Sequence, residues 1–288
     1  MKRRLRNILS NTLPDEEVAH ICNSYDIIGD IAVIRLNEYS RKNAAIIAQT
    51  LMKIHRNVKT VLAQVSPVYG DFRIRKLERI AGENRTTTLH KESSCIFSVD
   101  VASCYFSPRL FYERLRVARQ VKSGEIIVNM FAGVGCFSIV IAKHSKAERI
   151  YSIDINPEAF RYMCENIKLN KVYGRVIPLI GDAKEIVKSS LKHVADRVLL
   201  PLPEKAFEYI FYALLALRDL GGWIHHYDFE HAGKNEDPVK KVQAKVERKL
   251  EELNVDFETV FGRVVRSIGP NWYQVVLDIH VKKKPEII

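Results

Sequence analysis

What the 288-residue chain lacks already narrows its chemistry. Its five cysteines, Cys22, Cys95, Cys104, Cys136 and Cys164, are odd in number, scattered and never at C-x-x-C spacing. An odd, scattered set without C-x-x-C spacing fits neither a disulfide framework nor a thiolate metal site, so these read as reduced core residues. Cys136 has no evident histidine partner beside it in sequence, which argues against a nucleophile. No apolar run reaches the ~20 residues that span a bilayer. The basic start, Met-Lys-Arg-Arg-Leu-Arg, has no apolar signal core behind it, so a cytoplasmic protein without membrane attachment is expected. There is no G-x-x-x-x-G-K-[ST], which disfavours a nucleoside triphosphate, and the third glycine of a dinucleotide fingerprint is missing. His90, His225 and His226 are not at ligand spacing; they read as strand histidines, and no metal is expected. Internal repeats and low-complexity segments are absent as well.

What is present centres on residues 125–136. Glu125–Met130 is a short apolar run of the buried-strand type. Phe131-Ala-Gly-Val-Gly135 turns sharply, and Phe137–Lys143 carries helical periodicity. Glycines at the end of a strand let backbone approach a ligand closely, and the following helix offers unpaired N–H groups. Glu148–Asp154 is a second strand ending in an acid, ~20 residues beyond the glycines, where a ribose-binding carboxylate belongs. Asn156-Pro157 opens a helix, with Pro where its missing N–H costs nothing. Val176–Asp182 is a third strand ending in an acid. A strand with a Gly loop followed by two strands ending in Asp points to an adenosyl ligand, S-adenosylmethionine. Lys and Arg exceed Asp and Glu by 45 to 34, a net charge of +11, which favours a polyanionic partner such as nucleic acid.

The expected fold is α/β: a class I (Rossmann-like) methyltransferase sheet at 102–288, preceded by a smaller α+β domain at 1–101. In the smaller domain, 24–35 reads as strand, Gly-Asp turn and strand, 41–56 as an amphipathic helix and 58–65 as a strand. Residues 71–80 carry Arg73, Arg75, Lys76 and Arg79, and alternation on a strand would point Arg73 and Arg75 to one face. Residues 84–90 and 95–101 add further strands. A helix from about Leu110 to Val121 carries Glu113, Arg114, Arg116 and Arg119, which by spacing read as surface charge pairs. Beyond Asp182 follow a short helix at 183–190, a strand at 196–203, an apolar helix at 204–217, a strand at 222–228 and a charged helix at 237–253. A long hairpin closes the chain at 256–267 and 272–283.

Several stretches together resemble one family, the archaeal and eukaryotic tRNA (guanine-37 N1)-methyltransferases with their wyosine-pathway relatives. They are Arg73 with Gly82–His90, Val99-Asp-Val, Tyr105–Leu110, Glu113-Arg114, Asn129–Gly135, Ile153–Pro157, Asn166–Asn170, Gly181-Asp182, Asp196-Arg-Val and Gly221–His226. The resemblance runs from about residue 20 to the end. It implies methyl transfer from S-adenosylmethionine to guanosine 37, next to the anticodon, and hence a tRNA anticodon loop as partner of a monomeric enzyme. It implies Glu113 as the base for the N1 proton and Arg73 as the partner of oxygen-6, with Arg75 as the fallback. Around the cofactor it implies Tyr105, Arg109 and Arg114 at the methionine end and Phe131, Gly133 and Gly135 in the loop. Asp154 and Ile155 would hold the ribose, and Asp182 and Ala183 the adenine. The extra N-terminal domain of many archaeal members is expected to be missing.

One motif departs from the family. Where relatives have Asn-Leu-Pro or Asn-Pro-Pro-Tyr, this chain has Pro201-Leu202-Pro203. An Asn amide can orient a base or cofactor, whereas Pro201 offers only a carbonyl. Pro201 thus keeps the cofactor-site position but leaves alternatives open: carbon-7 methylation of a tricyclic wyosine precursor, aminocarboxypropyl transfer to it, or a catalytically silent RNA-binding protein.

Overall fold

The computed structural model describes residues 5–67, 70 and 72–285. The basic first residues and Asp71, which opens the basic stretch at 71–80, lie outside the described residues. The chain divides into two compact units between Phe111 and Tyr112, where the sequence had suggested a boundary at residue 101.

In the first unit, α1 (Leu5–Leu9) and α2 (Asp15–Ala19) precede β1 (Tyr25–Ile28) and β2 (Ile31–Arg35). Then come α3 (Glu38–Arg41), α4 (Ala44–Ile54), β3 (Thr60–Gln64) and β4 (Leu77–Gly82). The strands pair in the order β1-β2-β3-β4, with β2 and β3 parallel and the outer pairs antiparallel. Ile34, Ile47, Leu51 and Val61 pack in the core between sheet and helices. A separate antiparallel pair joins β5 (Thr87–Glu92) to β6 (Cys95–Asp100).

Two sequence expectations change here. The helix read at 41–56 begins only at Ala44; Asn37 and Ser40 close a capping box on the short α3 before it. Arg73 does not sit on a strand. It lies in a turn at φ 53°, and β4 starts at Leu77, so Arg73 and Arg75 share no strand face. Alternation of basic residues alone cannot tell an edge strand from an irregular connection.

The second unit is built on a seven-stranded sheet in the order β12-β13-β11-β10-β7-β8-β9. After α5 (Phe111–Gln120) come β7 (Ile126–Asn129), α6 (Cys136–His144), β8 (Arg149–Asp154), α7 (Pro157–Leu169), β9 (Val176–Ile180) and α8 (Ala183–Ser190). The chain continues through β10 (Arg197–Leu200), α9 (Pro203–Ala206), α10 (Ile210–Ala216) and β11 (Gly222–His231). It ends with α11 (Pro238–Glu252), β12 (Asp256–Gly269) and β13 (Trp272–Lys283). The strands from β11 to β9 run parallel, and β13 inserts antiparallel between β11 and β12. Parallel strands covered on both faces require continuous apolar runs, and Val128, Ile150, Val198 and Ile224 supply them, each at most 1% exposed. Strand order reverses at β7, with β8 and β9 on one side and β10 and β11 on the other. This reversal opens a crevice at the carboxyl ends of the strands, the usual ligand position in such a sheet.

Candidate active site

The crevice is shaped by the loop between β7 and α6. Gly133 and Gly135 take φ 57° and 90°, a region that L side chains enter at a cost. At Gly135 an added Cβ would also sit 3.0 Å from Ile139 Cδ1 and 3.2 Å from Met163 Cγ. The loop is held from several sides. Ala132 N–H donates to the Ile153 carbonyl at 2.8 Å, and the Asn166 side chain donates to the Val134 carbonyl at 3.0 Å. Gly133 N–H donates to Asp154 Oδ2 at 2.6 Å, and Asn156 N–H donates to Asp154 Oδ1 at 2.9 Å. With the Ile155 backbone as a third donor, the Asp154 carboxylate still keeps a lone pair for a ligand hydroxyl. Burial pushes the Asp154 carboxyl above its ordinary value against these backbone donors.

At the tip of β9, Asp182 caps α8 through Lys184 N–H at 3.0 Å and accepts from the Tyr209 hydroxyl at 2.8 Å. The Tyr209 ring stands edge-on to Phe131, with centroids 4.9 Å apart. The helix read at 204–217 breaks between α9 and α10, and Tyr209 stands at the start of the second piece. Sequence reading missed Tyr209, which follows β10 only after the short α9. Ile155 and Ile180 leave apolar side chains exposed, at 46% and 52%, on either side of the two acids. Aliphatic lips, aromatic edges and two carboxylates with free lone pairs fit a nucleoside with a ribose diol. Ala183 is buried in the first turn of α8, and Pro201 follows the last residue of β10.

The second cluster surrounds Glu113 on α5. Sequence spacing suggested surface charge pairs here, but Glu113 and Arg114 are 1% and 2% exposed. The reason is tertiary: strands distant in sequence supply partners. Glu113 Oε1 accepts from Arg116 Nε at 3.0 Å, Arg116 Nη2 at 2.7 Å and the Tyr227 hydroxyl at 2.8 Å. Glu113 Oε2 accepts from Arg263 Nη2 at 2.6 Å. Burial, with the Glu113 charge adding to it, holds the Tyr227 hydroxyl well above its ordinary value, so it stays a donor. Behind Arg116 lies Asp278, which accepts from both terminal nitrogens of Arg116, from Gln120 at 2.9 Å and from His225 Nδ1 at 2.6 Å. Arg197 is 1% exposed; its Nη1 meets His225 Nε2 at 2.7 Å, and it pairs with both oxygens of Glu125. Because Arg always donates, His225 Nε2 must accept and His225 Nδ1 must carry the hydrogen given to Asp278. Burial pushes the His225 imidazole down, consistent with a neutral ring.

Four of the sequence-predicted residues, Arg73, its fallback Arg75, Tyr105 and Arg109, lie in the first unit. The Arg73 guanidinium carbon stands 4.4 Å from the centroid of the Tyr105 ring, so these two meet. Arg109 is tied to Asp26 at 2.6 Å and to Ser24 at 2.7 Å. Arg75 donates to Gln64 at 3.3 Å. Phe131, Gly133, Gly135, Asp154, Ile155, Asp182 and Ala183 converge on the crevice of the second unit, and Glu113 and Arg114 lie buried on α5.

A parallel sheet with an antiparallel penultimate strand, a Gly loop after its first parallel strand and acids closing the next two defines a class I S-adenosylmethionine-dependent methyltransferase. Among the described residues no helix is long and apolar enough to cross a membrane. Residues 88–257 match the TRM5/TYW2 methyltransferase domain and residues 5–86 the TYW2 N-terminal domain, and the chain belongs to this family. The tRNA (guanine(37)-N(1))-methyltransferase Trm5b of Pyrococcus abyssi is 40% identical over 269 residues, 93% of this chain and 78% of that protein. The tRNA 4-demethylwyosine(37)-methyltransferase Taw21 of Saccharolobus solfataricus is 39% identical over 256 residues, 88% of this chain and 92% of that protein. Among solved structures, the complex of aTrm5 and tRNALeu superposes with a TM-score of 0.83 at 37% identity, covering 98% of this chain and 79% of that one.

Proposed function

We propose that this chain transfers the methyl group of S-adenosylmethionine to N1 of guanosine 37 in tRNA. The observation that carries this reading is Glu113, a carboxylate withdrawn from solvent, one oxygen of which is saturated by donors. Guanine N1 is protonated and weakly nucleophilic, so a base must take its proton while oxygen-6 gains negative charge. Glu113 suits the first task, and Arg73, an always-charged donor, suits the second. The sulfonium of S-adenosylmethionine supplies the electrophilic methyl carbon. Phe131, Gly133, Gly135, Tyr209 and the acids Asp154 and Asp182 would hold its nucleoside; Tyr105, Arg109 and Arg114 would serve its methionine end. In the same reading the enzyme is a cytoplasmic monomer acting on the anticodon loop. Net charge +11 favours that partner.

A second reading rests on Pro201, which stands where relatives carry Asn, and on the match of residues 5–86 to the TYW2 N-terminal domain. Both fit an enzyme of the wyosine branch that acts on carbon-7 of a tricyclic base at the same position. Nucleoside mass spectrometry separates the two readings. Unmodified tRNA incubated with enzyme and S-adenosylmethionine should yield 1-methylguanosine. Product only from tRNA bearing the tricyclic precursor overturns the first reading, and the added mass, methyl or aminocarboxypropyl, names the reaction.

Cofactor binding has its own test. Asp154→Ala removes the ribose partner and the acceptor of Gly133 N–H together. Each lost hydrogen bond is worth about 1 kcal/mol or more, so affinity for S-adenosylmethionine should fall at least about tenfold by calorimetry. An unchanged dissociation constant removes Asp154 from the site.

A further inference from the structure

The two oxygens of Glu113 are not equivalent, and the difference singles out Arg263. Oε1 already accepts from two Arg116 nitrogens and from the Tyr227 hydroxyl, which leaves it no lone pair for another proton. Oε2 accepts from Arg263 Nη2 at 2.6 Å. If Glu113 is the base, a premise taken from the function proposed above, the proton must arrive on Oε2.

That arrival affects the two arginines differently. Arg116 also pairs with Asp278 and keeps a carboxylate when Glu113 becomes neutral. Among the described residues Glu113 is the one carboxylate paired with Arg263. The Arg263 Nε hydrogen is buried without a partner, and its guanidinium carbon lies 5.1 Å from the centroid of the Tyr112 ring. Arg263 comes from β12, the edge strand of the sheet, between two irregularities of the β12–β13 ladder, and its side chain is 29% exposed against 1% for Glu113. It is thus the more solvent-facing partner of the carboxylate, with donors to spare.

We propose that Arg263 is a catalytic residue that passes its hydrogen bond from Glu113 Oε2 to guanine oxygen-6 as the N1 proton moves to Oε2. The step balances. The N1–H bond breaks and its proton forms the O–H bond on Oε2. The N1 electron pair bonds the methyl carbon, and the carbon–sulfur bond breaks with its electrons left on sulfur. Negative charge leaves Glu113 for the guanine edge during the proton transfer, and Arg263 follows it there.

The test compares R263Q, R263K and E113Q with the wild type in single-turnover methyl transfer to unmodified tRNA, together with dissociation constants for tRNA and S-adenosylmethionine. R263Q should lower the rate by about 100-fold, the scale of losing one donor to a developing oxyanion, while both dissociation constants stay within about threefold. R263K keeps the cation and should recover about tenfold of that loss. The groups facing Glu113 are Arg116 on α5, Tyr227 on β11 and Arg263 on β12, with Asp278 on β13 behind Arg116, and only the third changes. A wild-type rate in R263Q beside an inactive E113Q overturns the handover alone. A rate loss in R263Q matched by lost tRNA affinity also overturns it. A wild-type rate in E113Q overturns the base reading, and the handover with it.

Discussion

Glu113→Gln should lower the single-turnover rate of methyl transfer by about 10³-fold, within the range of a lost general base, while tRNA affinity changes by less than about threefold. An amide is too weakly basic to hold the guanine N1 proton, so the chemical step loses its acceptor. Shape is conserved. Gln Oε1 can still accept from Arg116 and from the Tyr227 hydroxyl, which approach Glu113 Oε1 at 2.7 and 2.8 Å. The amide nitrogen, however, would turn its hydrogens towards Arg263 Nη2, which donates at 2.6 Å in the native chain. A donor facing a donor beside a buried position is unfavourable, and removing one partner of a buried ion pair costs about 3–5 kcal/mol. Arg263 is partly exposed and solvent will recover some of that cost. Rates should therefore be read well below the melting temperature of the variant. If rate and tRNA affinity fall in equal proportion, Glu113 is a structural carboxylate and the proposed chemistry fails.

The parts of this enzyme that could be read from sequence are those in which one local segment carries the whole signal. β7 is a short apolar run because a central parallel strand is covered on both faces, and β7, β8 and β9 each hand over to a Gly turn or an acid at a fixed place. The strands and turns that form the crevice were legible for that reason. Around Glu113 the signal is dispersed. The Arg263 contact spans 150 residues and the Asp278 contact with Arg116 spans 162, so no window of sequence holds both partners. Only Arg116, one helical turn from Glu113, lay within local reach, and the same spacing suits a solvated surface pair equally well. The strand placement of Arg73 failed for a related reason. The residue stands in a left-handed turn at φ 53°, which alternating charges do not encode.

The deepest dispersed element is Asp278, and Asp278→Asn should destabilise the second unit by about 3 kcal/mol and change how stability responds to acid. In the native chain a buried row runs Glu113, Arg116, Asp278, His225, Arg197, Glu125, alternating carboxylates and guanidiniums around one neutral imidazole. Burial alone would raise the Asp278 carboxyl, but the hydrogen bonds from His225 and Arg116 and the Arg116 charge prevail and hold it well below the usual carboxylate range. A carboxyl depressed in the folded state contributes stability that is complete above its unfolded value, about 3.9, and is lost as pH falls towards its folded value. His225 works in the same direction from a higher pH. Its folded value is lowered by burial, so below about 6.5 the unfolded chain takes up a proton that the folded chain refuses, and folding weakens as pH falls. Wild-type stability measured by urea unfolding should decline below about pH 6.5 and decline more steeply below about pH 4. In the variant the neutral amide no longer titrates, so the steeper acid phase should shrink while overall stability is lower at neutral pH. Arg116 would keep Glu113 as its remaining carboxylate, and its hold on that base would slacken, so methyl transfer should slow by about tenfold with cofactor affinity unchanged. Equal unfolding free energies for wild type and variant at pH 7 would show that Arg116 does not depend on Asp278. The alternating row would then be a set of independent pairs rather than one support for Glu113.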